Sequence, residues 1–308
     1  MAVVPRWRKR SAKSLTLLDT YIGTLAARVG VMLRRALLFL ALAACSAAPA
    51  VDAPSSDDEA AIAAAHPGWL SGAKKHRAEA LTSLFENSTI ALQYDYIEAL
   101  GDGRGYTAGR AGFTSATGDM LDVVRAYTRA VPGNALAHYL PRLEVLARTE
   151  DGSIVGLEGL PAAWAAAATD AHFRATQDRV VDTTYFVPAM GHADAVGATL
   201  PLTRAVLYDT IIQHGDGSDP DGLGALLTAT RARVHGTPKT GVDERVWLDA
   251  FLTIRRADLA HASDPSTRDV WAESVGRVDV LREIARAGNY ALEGPLHVAS
   301  KDWNATVP

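Results

Sequence analysis

Between Lys74 and Phe85 the apolar residues Ala78, Leu81, Leu84 and Phe85 recur at three- and four-residue spacing, which puts them on one face of a helix. The same period returns over residues 118–130, 135–148, 160–178, 195–214, 221–234, 243–260 and 268–286, so the chain is predicted to be mainly α-helical. Residues 101–116 break it. Their five glycines, interleaved with Tyr106, Thr107 and Phe113, suit short strands and tight turns. Residues 46–72, rich in Ala, Pro, Ser and Asp without an apolar period, read as a flexible tether. No internal repeat and no second break in composition follow, so residues 73–308 are expected to form one body of two lobes.

Of the 308 residues, 48% are hydrophobic and 21% charged, with 25 Gly and 14 Pro, which excludes a disordered or collagen-like chain. The formal charge of −4 is unevenly spread. Residues 1–45 hold eight basic groups and one acid, leaving 23 basic and 34 acidic groups in residues 46–308, a balance of −11. Such a body repels nucleic acid and anionic membranes and attracts cations.

The basic end reads as an export signal. From Met32, an alternative start, Arg34 and Arg35 precede an apolar run from Ala36 to Ala44, too short to span a bilayer, and Leu42-Ala43-Ala44-Cys45 resembles a bacterial lipobox. Residues 1–45 are therefore predicted to be a signal region with Cys45 as the lipidation site. Ordinary cleavage near Ser46–Ala50, releasing a free secreted protein, is the alternative. Cys45 is the only cysteine, so disulfides and cysteine-based metal sites are excluded from the body.

Glu86 closes the first predicted helix. The negative end of the helix dipole and the apolar neighbours Leu84 and Phe85 would favour its protonated form. Sixteen residues later Asp102 lies in the glycine-rich turn, where backbone N–H groups and Arg104 can keep a carboxylate ionised. One protonated and one ionised carboxyl in different environments is what glycoside hydrolysis requires.

In order along the chain, Glu86-Asn87, Tyr94, Asp102-Gly-Arg104-Gly105-Tyr106-Thr107, Ala111-Gly112 and Thr117-Gly118-Asp119 closely resemble the signature of the family 46 glycoside hydrolases, the chitosanases. Further similar blocks include Tyr185-Phe186-Val-Pro188, Tyr208-Asp209 and Phe251-Leu252 with Arg255, so the resemblance runs from about Lys74 to Leu296. It implies a mainly α, lysozyme-like fold of two lobes, with a small β-containing segment near the cleft. It also implies cofactor-free endo-hydrolysis of chitosan with inversion, outside the cell and as a monomer. By position it makes Glu86 the general acid, Asp102 the general base and Thr107 a holder of the attacking water. Ser88, Tyr96, Arg104, Thr117 and Asp119 fall on substrate-binding positions, Asp119 being suited to a glucosamine ammonium. Asp209 and Arg255 fall on a charged network behind the acid. The stretch between Glu86 and Asp102 is about two residues shorter than is usual for the family.

A polycationic substrate agrees with the acidic body. A lysozyme-like peptidoglycan hydrolase and a non-catalytic polysaccharide-binding lipoprotein are the rival expectations. Other motifs point to no chemistry. Gly101–Gly105 lacks the Lys-Ser/Thr ending of a phosphate loop, and no Gly-x-Ser-x-Gly is present. Asp216, Asp219 and Asp221 lack the Glu that closes a calcium loop, and they predict a turn with a helix cap before Gly222. His66, His172 and His214 lack ligand spacing, so no metal is expected. Trp69, Trp164, Trp247, Trp271 and Trp303 are expected mostly in packing.

Overall fold

The computed structural model describes residues 64–308 apart from Asp102, Asp264, Ser266 and Thr267; the signal region with Cys45 and most of the tether lie outside the described residues. The tether's last stretch is packed. Leu70 is buried in the core and Trp69 Nε1 donates to Asp194 Oδ2 at 2.8 Å, so the body begins a few residues before 73.

Two apolar cores divide the chain. The larger gathers helix α1 (Gly72–Asn87) and most of the chain from Phe186 onward. The smaller spans Ala108 to Val181. Its elements are a three-stranded antiparallel sheet, β1 (Ile97–Ala99), β2 (Tyr106–Ala108) and β3 (Phe113–Thr114), with helices α2 (Asp119–Ala130), α3 (Leu140–Thr149), α4 (Leu160–Ala167) and α5 (Ala171–Val181). In register, Glu98 faces Thr107 and Thr107 faces Thr114. This is the short β segment that the glycine-rich stretch predicts.

The lobes are joined by one long helical run. Helix α5 passes into a π-helical turn, Asp182–Phe186, and on into α6 (Val187–Val196). Val181 belongs to the smaller core and Phe186 to the larger, while Tyr185 packs against both. The wider π turn therefore sits where the helix changes lobes.

In the larger lobe α7 (Pro201–His214) is buried on nearly every side, as expected of a central helix. Around it lie α8 (Leu223–Val234), α9 (Glu244–Ala260), α10 (Arg268–Ala272) and α11 (Val275–Arg286). Several predicted segments are split by local chemistry. Asp170 caps α5 by accepting from His172 N at 2.9 Å, dividing 160–178, and Gly197 at φ 80° ends α6, dividing 195–214. The cap expected before Gly222 takes another form. Gly222 itself is the N-cap without a side-chain bond, while Asp219 Oδ1 accepts from Asp221 N and Asp221 accepts from Ser263. The sequence period also missed the closing hairpin β4 (Leu296–Ala299) and β5 (Asn304–Val307), which buries Leu296, Val298 and Val307. Trp164, Trp247 and Trp303 are core residues.

Candidate active site

Helix α1 turns one polar face toward the gap between the lobes. Glu79, Thr82, Ser83 and Glu86, spaced by three, four and seven residues, line a cavity of about 250 Å³ together with Arg104, Arg110 and Tyr185. Glu86 lies one residue before the helix end and is 8% exposed. Ser88 follows as the C-cap, at φ 58°, with its N–H donating to Leu84 O.

A guanidinium that the sequence reading did not single out meets Glu86. Arg277 of α11 donates from Nη1 to Glu86 Oε1 at 2.7 Å and from Nη2 to Asp209 Oδ1 at 2.6 Å. Arg255 pairs with the other oxygen of Asp209 at 2.7 Å, so it stands behind Asp209, with Arg277 between that pair and the acid. Burial opposes ionisation of Asp209, but Arg277 and Arg255 outweigh it and hold the carboxyl at about 2. Arg255 in turn donates to Gln213 Oε1 at 2.5 Å and to His214 Nε2 at 3.3 Å, and His214 Nδ1 bonds Asp221 O at 2.8 Å. His214 is therefore a buried member of this hydrogen-bonded chain.

The sheet of the smaller lobe supplies the other candidates. Asp102 lies outside the described residues. Its neighbours Gly101 and Gly103 take φ of 69° and 84°, and at Gly105, also left-handed, a Cβ would collide with Ser115 Oγ. Thr107, central in β2, is fully buried, and its Oγ1 has no hydrogen-bond partner among the described residues. Tyr96 donates from its hydroxyl to Glu98 Oε2 at 3.1 Å.

Asp119 opens α2. Its Oδ1 accepts from Thr114 N at 2.7 Å, Thr117 Oγ1 at 2.8 Å and Met120 N at 3.0 Å, yet burial leaves its pKa raised. Exposed Thr117 thus orients this carboxylate. The Tyr185 hydroxyl is pushed up by burial and by the charges of Asp119 and Glu86. Glu86, Arg104 and Tyr185 therefore share one cavity. Asp209 and Arg255 stand behind Glu86, joined to it through Arg277.

The chain is similar to known proteins. The model of glycosyl hydrolase family 46 covers residues 80–296. A chitosanase of Bacillus subtilis strain 168 is 54% identical over 230 residues, 75% of this chain and 83% of its own length. One from Streptomyces strain N174 is 40% identical, over 72% of this chain and 78% of its own length. The crystal structure of native chitosanase from Bacillus subtilis MY002 superposes with a TM-score of 0.70 at 52% identity, covering 78% of this chain and all of that one. A mutant of that enzyme has been solved complexed with six GlcN units, at the same TM-score, identity and coverage. With the family model spanning most of its length and relatives this similar, the chain belongs to glycosyl hydrolase family 46.

Proposed function

We propose that this chain is an endo-acting chitosanase that hydrolyses β-1,4-glucosaminidic bonds with inversion, Glu86 serving as general acid and Asp102 as general base. Glu86 carries this reading: it is a carboxyl buried at a helix end, opening on the interlobe cavity and backed by a guanidinium. An acid in that place can hold a proton for the leaving glycosidic oxygen. On the opposite face of the sugar, Asp102 takes a proton from a water that attacks the anomeric carbon. An inverting enzyme keeps its two carboxyls about 6.5–9.5 Å apart so that this water fits between base and sugar. Thr107 Oγ1, buried and without a partner among the described residues, is suited to hold it. The Asp119 carboxylate, aligned by Thr117 and the N-terminus of α2, would receive a glucosamine ammonium. Ser88, Tyr96 and Arg104 complete the substrate-binding set.

Reducing-sugar release from chitosan tests the assignment. Glu86→Gln and Asp102→Asn are each expected to lose at least about a thousandfold in kcat, and NMR of early products from the wild type should show the inverted anomer. Intact activity in either variant would refute the acid and base roles. For localisation, the segment from Met32 to Cys45 supports export with lipid attachment at Cys45, and the intact mass of the mature N-terminus tests it.

A further inference from the structure

The proposed acid and the strand that follows the proposed base belong to different lobes. Helix α1 packs in the larger core through Ala78, Leu81, Leu84 and Phe85, whereas β2 and the turn after it pack in the smaller one through Ala108 and Phe113. Among the described residues, Arg110 ties the two elements directly.

Arg110 lies three residues beyond Thr107. Its Nη2 donates to Glu79 Oε1 at 3.1 Å, and Glu79 sits two helical turns before Glu86 on the same face of α1. Its Nη1 pairs with Asp178 of α5, whose Oδ1 also accepts from the Tyr94 hydroxyl at 2.8 Å, and its backbone N–H donates to Gln177 Oε1 at 3.1 Å. Lys75 completes the cluster. Its Nζ reaches Glu79 Oε1 at 2.9 Å and Asp182 Oδ1, the first residue of the π turn, at 3.0 Å. The side chains of Arg110, Glu79 and Lys75 are 4%, 5% and 9% exposed. Ions so buried are costly unless their geometry is fixed, so the cluster tolerates few relative positions of the lobes.

We propose that Arg110 is a positioning residue for hydrolysis: by binding Glu79 on the helix of Glu86 and Asp178 on the smaller lobe, it sets the separation between Glu86 and the strand that carries Thr107. The proposal rests on Glu86 acting as the acid and Asp102 as the base. Neither Glu79 nor Arg110 donates or accepts a proton in the reaction. Burial pushes the Glu79 carboxyl up, but Arg110 and Lys75 hold it at about 2, so it stays a fixed anion throughout the working pH range.

The test compares Arg110→Gln, Arg110→Lys, Glu79→Gln and the Arg110→Gln/Glu79→Gln pair on glucosamine hexamer. Each is assayed at least 15 °C below its own thermal midpoint, with folding checked by near-ultraviolet circular dichroism. A misplacement of about 1 Å costs on the order of a hundredfold in rate. Arg110→Gln and Glu79→Gln are therefore expected to lose about that much in kcat with KM changed less than about threefold, and the pair to lose no more than either alone. Arg110→Lys keeps the charge but lacks the planar fork whose two nitrogens reach Glu79 and Asp178 separately, and should lose an intermediate amount; it also carries the test if Arg110→Gln does not fold. Wild-type kcat in the folded variants would overturn the proposal by leaving Arg110 a purely structural role. A rise in KM with kcat unchanged would also overturn it, making Arg110 a sugar-binding group. Glu86→Gln and Asp102→Asn assayed alongside separate the two readings, since full activity in either refutes the acid and base roles whatever Arg110 does.

Discussion

Replacing Asp209 by Asn removes one charge and almost no volume from a fully buried site between two guanidiniums. The magnitude follows from the proton affinity. Asp209 is held at about 2 against an ordinary 3.8, and one unit is worth about 1.4 kcal/mol, so the ionised form gains roughly 2–3 kcal/mol on folding. The excess positive charge left in the interior, where Glu86 alone would face Arg255 and Arg277, would add to this, giving a total loss of about 3–5 kcal/mol at pH 7. The sign is fixed by linkage. Because the folded carboxyl is the stronger acid, its contribution is complete above the unfolded pKa and disappears as pH falls through about 2. Urea unfolding of wild type and Asp209→Asn should therefore show a constant gap from pH 7 to 5, with the linked part falling to about half by pH 3. A gap below about 1 kcal/mol at pH 7, or one independent of pH, would refute the view that this carboxylate is retained for its charge.

Asp258 should behave in the opposite sense. Burial and the neighbouring Asp221 carboxylate raise it from 3.8 to about 7, with His214 Nδ1 3.6 Å away, so folding holds a proton that the unfolded chain releases. Its stability contribution is present below pH 4 and lost as pH rises toward 7. With its side chain 15% exposed and solvent screening taken into account, Asp258→Asn should stabilise by roughly 1–2 kcal/mol at pH 8 and by almost nothing at pH 4, read from thermal midpoints. Thr107→Val keeps the shape and removes a hydroxyl that has no partner among the described residues, so stability should hold within about 0.5 kcal/mol. If the hydroxyl holds water, kcat on chitosan should still fall by about 10- to 100-fold.

What the sequence disclosed depended on the length of each pattern. Helices α1, α2, α8 and α9 were legible within a few residues, because several turns of apolar spacing leave no other period available. The closing hairpin was not, since four residues of alternation, Leu296 to Ala299, cannot be told from a loop. The π turn leaves the apolar period of its helix almost intact and carries no signal of its own. In the site, Glu86 was singled out by its place at a helix end, and Thr107 and Asp209 by their place in the family resemblance. Arg277 was missed, although a trace existed. It stands four and seven residues before Leu281 and Ile284, so a charge interrupts the apolar stripe of α11, and a buried charge demands a partner. Arg110 and Glu79 left no trace, because their meeting depends on how the lobes pack.

The buried groups behind the acid form an alternating series, Glu86, Arg277, Asp209 and Arg255, whose formal charges cancel when Glu86 is ionised. Protonating Glu86 leaves that interior with a net charge of +1, which low-dielectric surroundings disfavour. The helix terminus and the apolar packing around Phe85 pull the other way, toward the neutral acid. The role proposed for Glu86 needs this opposition, since a general acid must hold its proton until the glycosidic oxygen can accept it and then give the proton up without stranding a charge. Removing Asp209 breaks the balance in a definite direction. With two guanidiniums and no anion between them, protonated Glu86 belongs to a cluster of +2, the proton is held less tightly, and the alkaline limb of the activity profile moves to lower pH. Asp209→Asn should thus lose activity first at the alkaline end, while the loss of stability caused by the same substitution shrinks only at the acidic one.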